Sequence, residues 1–118
     1  MKIGVLTIGA ELLNGSRIDT NASWIANAVI HKGGSVVFKM SVPDSESKII
    51  KALNFLLSQS IDMLIVTGGL GPTHDDITAE TLYSYFNDEP IFDDDYWDLL
   101  VKRFEKRGFE VSKLNRSQ

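Results

Sequence analysis

Thr67-Gly68-Gly69-Leu70-Gly71-Pro72-Thr73-His74-Asp75-Asp76-Ile77-Thr78 follows the apolar run Met63-Leu64-Ile65-Val66 and leads into a helix-like segment starting near Thr78. Three glycines in four residues turn the chain sharply and present backbone N–H groups with no Cβ in front of them. Asp75 and Asp76 are adjacent hard oxygen ligands of the kind that hold a divalent cation. An apolar strand, a glycine turn, paired acids and a helix N-terminus, in that order, suit a phosphorylated ligand bound with a metal. The glycines are not followed by Lys-Ser/Thr, so this is not a Walker A loop, and their spacing is not G-x-G-x-x-G. The alternative is a tight strand-to-helix turn whose acids cap the helix. One cap is enough for that, whereas Asp75, Asp76 and Thr78 crowd the same place.

Outward from that loop the chain alternates strands and helices. Ile3-Gly4-Val5-Leu6-Thr7-Ile8 ends at Gly9 and reads as a strand buried on both faces. A polar loop, Ala10 to Thr20, follows and holds Glu11, Asn14-Gly15 and Asp19. Glu11 also suits the cap of a short helical turn, Glu11–Leu13. Thr20, Asn21 or Asp19 can cap a helix that carries Trp24, Ile25, Ala28 and Val29 on one side and stops at Gly33-Gly34. Ser35 to Val42 is a second strand. Pro43-Asp44 turns, and Asp44 or Ser45 caps a helix with an apolar face of Ile49, Ile50, Leu53, Leu56 and Leu57. Asp62 to Thr67 is the strand that delivers the glycine loop. Thr78 to Phe86 is a helix bearing Leu82, Tyr83 and Phe86. Glu89-Pro90 breaks it, and Asp94 to Lys106 is the last helix, its leading acids complementing the helix dipole. Short βα and αβ connections of this kind give a mostly parallel sheet with helices on both faces, a three-layer α/β/α sandwich. Ligands of such sheets sit at the carboxyl ends of the strands, where the Gly9–Thr20 and Gly68–Thr78 loops both fall.

At 118 residues the chain is read as one domain, 1–118, with 43% hydrophobic residues to build a core. Lys+Arg 12 against Asp+Glu 16 gives a net charge of −4 with no basic stripe, which argues against nucleic acid as a partner. Local N–H groups and a cation can outweigh so small a charge, so a phosphorylated ligand remains compatible. There is no cysteine, hence no disulfide, thiolate zinc site or Cys nucleophile, and a cytoplasmic location is expected. No stretch approaches the roughly 20 apolar residues of a membrane span. His74 beside two carboxylates is no recognisable zinc pattern. His31 reads as a helix-end surface residue, and Trp24 and Trp97 read as packing residues.

Three stretches together carry a family resemblance: Gly9-Ala10-Glu11-Leu12-Leu13-Asn14-Gly15 with Asp19-Thr20-Asn21, the Thr67–Thr78 loop, and Asn115-Arg116-Ser117-Gln118. With them the chain resembles the N-terminal domain of the CinA (competence/damage-inducible protein A) family, itself related to the molybdopterin-binding MoaB/MogA proteins. The resemblance implies a MogA-like α/β/α fold and a site at the mouth of the sheet. It also implies that this chain lacks the C-terminal part of the domain. Family members look like metal-dependent pyrophosphatases acting on ADP-ribose, and the MogA-like cousins bind and adenylate molybdopterin. Carried over to this sequence, Gly68, Gly69, Gly71 and Thr73 contact phosphate or sugar, and Thr78 completes that binding loop. Asp75 and Asp76 bind metal or ligand, with Glu11, Asp19 and Asn21 facing them. Asp75, Asp76 and Glu11 are the catalytic candidates, and the implied cofactor is a divalent ion (Mg, Mn or Co). Ala10 departs from the polar residue common in the family. The pyridine-nucleotide deamidase domain of many CinA proteins has no counterpart here.

Two functional classes follow: a hydrolase cleaving the pyrophosphate of ADP-ribose-like nucleotides, and a non-catalytic module binding a nucleotide or a pterin phosphate. Hydrolysis needs several converging carboxylates, binding mostly the glycine loop. A homo-oligomer, most simply a dimer, is expected, because a small sheet leaves edge strands to cover.

Overall fold

The computed structural model describes residues 1–116, and of the Asn115–Gln118 stretch Ser117 and Gln118 lie outside the described residues. β1 (Lys2–Ile8) is the centre of a three-stranded parallel sheet of order β2-β1-β3, between β2 (Ser35–Val42) and β3 (Met63–Thr67). This central place explains the nearly unbroken apolar run, since every β1 residue from Ile3 to Ile8 is buried.

Alternation along β1 divides the core in two. Ile3 and Val5 face α2 (Thr20–His31), where Ala22 and Val29 are buried and Ile25, Val36 and Ile65 pack. Leu6 and Ile8 face the other side, against Ile49, Ala52, Leu53 and Leu56 of α3 (Glu46–Leu57) and against Leu82 and Tyr85 of α4 (Thr78–Phe86). The three layers expected of the sequence are therefore present. A register shift opposite Ile3/Gly4 pairs Ile3 with Val36 and Gly4 with Phe38. The extra residue is Val37, and it sends Val36 and Phe38 to opposite faces although they are two apart.

Several local expectations change. Trp24 does not pack, being 72% exposed. It lies two residues from Ala22, roughly 200° round the helix at 3.6 residues per turn, while Ile25 and Val29 return to the sheet. On α3 the buried face is Ile49, Ala52, Leu53 and Leu56, and Leu57 turns to solvent. On α4 Thr78 and Thr81 are buried, whereas Tyr83 and Phe86 are exposed. Ser45 stands at the N-cap of α3 without a side-chain cap bond. β3 starts at Met63, one residue later than expected, and the Asp62 carboxylate just before it accepts the Lys2 N–H.

Beyond α4, Asn87 takes the left-handed conformation that ends the helix. α5 (Asp94–Lys106) begins at Asp93, whose carboxylate accepts the Tyr96 N–H at 2.8 Å. α5 buries no residue completely. Trp97 packs as expected, with its ring 6.0 Å from that of Phe92. The Arg116 guanidinium of the short α6 (Lys113–Arg116) lies over both rings, 4.6 and 5.5 Å from their centroids. Among the described residues no helix is long and apolar enough to cross a membrane.

Candidate functional site

Parallel strands deliver all three of their carboxyl ends to one edge, and each end contributes to the site. After β1, Gly9 begins α1 (Ala10–Leu13), with no side-chain cap from Glu11. The Glu11 carboxylate instead folds over Gly9, where an added methyl group would meet it at 2.7 Å. Asp19 is the N-cap of α2, and its Oδ1 accepts the Ala22 N–H at 3.0 Å. Its Oδ2 accepts the hydroxyl of Thr7, a buried β1 residue, at 2.8 Å. Asn21 belongs to the first turn of that helix.

The glycine loop after β3 is held from below. Thr78 Oγ1 donates to the Gly68 carbonyl at 2.8 Å, and the Thr78 N–H donates to the Gly69 carbonyl at 3.2 Å. Thr78 is fully buried, so it shapes the loop from inside rather than facing a ligand. Gly68 and Gly69 both take positive φ, 93° and 63°. A Cβ on Gly68 would strike the Ile8 carbonyl, and one on Gly69 would strike the Thr78 hydroxyl. Among the described residues the Gly69 and Leu70 N–H groups donate to no protein acceptor.

The paired acids do different things. Asp76 Oδ2 accepts both the Thr73 hydroxyl, at 2.6 Å, and the Thr73 N–H, at 3.0 Å. These bonds, the hydroxyl first and the Thr73 and Gly71 N–H groups after it, hold its carboxyl below the ordinary 3.8. The stabilisation they give the loop is present above the unfolded value and is lost as pH falls through the lowered one. Asp75 turns outward and pairs with His74 Nε2 at 3.1 Å, with both side chains mostly exposed, a geometry worth little.

Two clefts flank the loop and meet at the Gly68–Gly69 peptide. One, of about 190 Å³, is polar and draws on Glu11, Arg17, Asp19, Asn21 and Gly68. The other, of about 780 Å³, is largely apolar and runs from Gly69, Gly71, Thr73 and Asp76 to Tyr83, Phe92 and Arg116. The expected single site is thus divided. Glu11, Asp19 and Asn21 share one cleft, Gly69, Gly71, Thr73 and Asp76 the other, and Asp75 lines neither. Among the described residues no three His, Cys, Asp or Glu side chains gather as a metal cage. With Asp75 turned out to His74 and Asp76 turned back to Thr73, these carboxylates would hold a cation only together with ligand phosphates, in the manner of magnesium sites built on one or two carboxylates.

Sequence reasoning gave no site role to Thr7, Arg17 or Asp44, the last being read only as a turn residue and helix cap. The Asp44 carboxylate, just after β2, lies so near Gly69 that a methyl group there would sit 3.1 Å from it. Its place beyond a parallel strand's carboxyl end was the available signal. For Thr7 the signal was a hydroxyl inside an otherwise apolar buried strand.

Residues 4–116 match the family model described as "Probable molybdopterin binding domain". A CinA-like protein of Fusobacterium nucleatum is 41% identical over 105 residues, which cover 89% of this chain and 26% of that protein. The crystal structure of the protein CinA from Thermoplasma acidophilum superposes with a TM-score of 0.76 at 30% identity, covering 98% of this chain and 66% of that one. The tungsten cofactor synthesizing protein MoaB from Pyrococcus furiosus gives 0.68, also at 30% identity, covering 91% and 64%. The chain spans about a quarter of the length of the curated relatives it matches.

Proposed function

This chain belongs to the molybdopterin-binding domain family as a CinA-like domain, and from that premise we propose that it binds a nucleotide or pterin phosphate across its glycine loop. The observation that carries the reading is the pair of N–H groups, Gly69 and Leu70, left without a protein acceptor among the described residues on a turn fixed by Thr78. Such groups at a sheet's carboxyl edge suit phosphate oxygens. The two clefts on either side suit a ligand that continues in both directions from its phosphates.

Cleavage of an ADP-ribose-like pyrophosphate is the second reading, favoured by the Asp76 carboxylate kept ionised beside the loop. In that reading Asp75 and Asp76 hold a divalent cation (Mg, Mn or Co) together with ligand phosphates. The cation supplies charge neutralisation at the phosphoryl oxygens. Loop N–H groups stabilise the developing charge, and Glu11 acts from the polar cleft.

Three variants separate the readings. The Gly71→Val side chain enters the space of the Asp76 carboxylate, which lies 2.6 Å from a Cβ built there, so it blocks the loop face. Calorimetric affinity for ADP-ribose should fall about a hundredfold, some 2.7 kcal/mol, with the circular dichroism unchanged. Wild-type affinity would mean that the loop only turns the chain. Asp76→Asn should retain binding and lose metal-dependent hydrolysis. Turnover undiminished in both Asp75→Asn and Asp76→Asn would remove the metal assignment.

The reading extends to a homodimer in a reducing cytoplasm. β2 and β3 are the outer strands of the described sheet, and Val37 and Met63 on them are exposed. Light scattering at tens of micromolar, about where weak dimers form, should give twice the chain mass. A monomer there contradicts it.

A further inference from the structure

We infer that Thr7 and Ser41 are positioning residues that aim the Asp19 carboxylate into the polar cleft as the acceptor for sugar hydroxyls. That cleft then takes the polyol end of a ligand whose phosphates lie on the glycine loop. The assignment deepens the phosphate-binding reading above and rests on it.

Thr7 is 1% exposed, and a hydroxyl so placed must be satisfied inside the protein. It has one proton to give. Asp19 Oδ2, at 2.8 Å, is a carboxylate oxygen and can only accept, so the Thr7 proton goes there. Ser41 Oγ stands 2.7 Å from Thr7 Oγ1, and with that proton committed, Ser41 must be the donor of this bond. The Met40 carbonyl, 3.5 Å away, is at the outer limit for a hydrogen bond. The chain therefore runs one way, from the Ser41 hydroxyl to the Thr7 hydroxyl to the Asp19 carboxylate. Register supports it, because Thr7 and Ser41 are direct partners in the β1–β2 ladder.

Asp19 is thus gripped at both oxygens, Oδ2 by β1 and Oδ1 by the Ala22 N–H of α2. Each oxygen keeps a further lone pair, and Asp19, only partly buried, lines the polar cleft. A carboxylate fixed in this way offers two acceptors at a set angle, the pattern that meets vicinal hydroxyls in dinucleotide sites. Charge points the same way. Glu11 and Asp19 outnumber Arg17 in the lining, so a second phosphate would meet net repulsion, whereas neutral hydroxyls donate to either acid. Size agrees as well. At about 190 Å³ the cleft is below the roughly 300–1,000 Å³ of whole-ligand sites, so it receives one moiety, continuous with the loop through Gly68.

The test is calorimetric titration of wild type, Thr7→Val, Thr7→Ser and Ser41→Ala with ADP-ribose and with inorganic pyrophosphate. Thr7→Val keeps the shape and removes the donor, so ADP-ribose affinity should fall about tenfold, the scale of one charge-assisted hydrogen bond, with pyrophosphate affinity unchanged. Thr7→Ser should restore it. Ser41→Ala, which cuts the chain at its more exposed end, should lower ADP-ribose affinity about threefold, and it decides the matter if Thr7→Val does not fold. Equal losses for both ligands would reduce Thr7 to a structural role and overturn the inference, as would unchanged ADP-ribose affinity in Thr7→Val and Ser41→Ala. Failure of wild type to bind pyrophosphate, with Thr7-dependent ADP-ribose binding intact, would overturn the glycine-loop reading and leave the Asp19 assignment standing. Binding of neither ligand overturns both.

Discussion

Gly68→Ala is expected to remove about 3 kcal/mol or more of folding stability, at the upper end for a single substitution. Two costs add. The residue holds φ at 93°, where a Cβ brings roughly 1–2 kcal/mol of strain. The new methyl group would also fall on the Ile8 carbonyl. That carbonyl belongs to the buried central strand and cannot swing aside as a surface side chain can, so β1 and β3 must part at the edge where the site is built. Gly71→Ala is the control within the same loop. Gly71 has no positive φ, and its Cβ would meet the Asp76 carboxylate, which can move. Its cost should stay below about 1 kcal/mol. Urea denaturation of the two variants measures the difference, and comparable midpoints would refute the account of Gly68.

The second large effect lies in the core. Leu53→Ala should cost about 3 kcal/mol, within the 2–5 usual for a buried leucine. Leu53 is fully buried among Leu6, Ile8, Val42, Ile49 and Leu56, where α3 covers one face of the sheet. The cavity opens beneath β1, with rigid strand on one side and helix on the other, so little collapse can offset it. For a domain of this size the melting temperature should drop by roughly 10–15 °C. Leu57→Ala, on the same helix but 42% exposed, should cost less than about 1 kcal/mol. If the two variants melt together, Leu57 shares the buried face after all and the packing described for α3 is wrong.

Much of this architecture could be read from the residues alone. The nearly unbroken run Ile3–Ile8 ending at Gly9 suits a strand covered on both faces, as the central strands of parallel sheets are. Alternation of strand and helix with short connections then forces a parallel sheet and brings the Gly9–Thr20 and Gly68–Thr78 loops to one edge. The glycine loop itself was legible, since left-handed backbone at Gly68 and Gly69 needs residues without a Cβ.

Tertiary structure alone decided which side of each helix is inside and which polar groups meet. Periodicity fixes a helix's apolar stripe only to within a residue or so, and in α2 the sheet takes Ala22, Ile25 and Val29 and leaves Trp24 in solvent. The bulge at Val37 re-aims one strand, and nothing in the local sequence announces it. Asp75 and Asp76 are neighbours in sequence, yet backbone direction sends one outward to His74 and the other back to Thr73. Thr7, Asp19 and Ser41 lie up to 34 positions apart and become one hydrogen-bonded chain. Their contact depends on strand register and helix placement, long-range quantities set by how the whole core packs, and so it cannot be read from spacing along the chain.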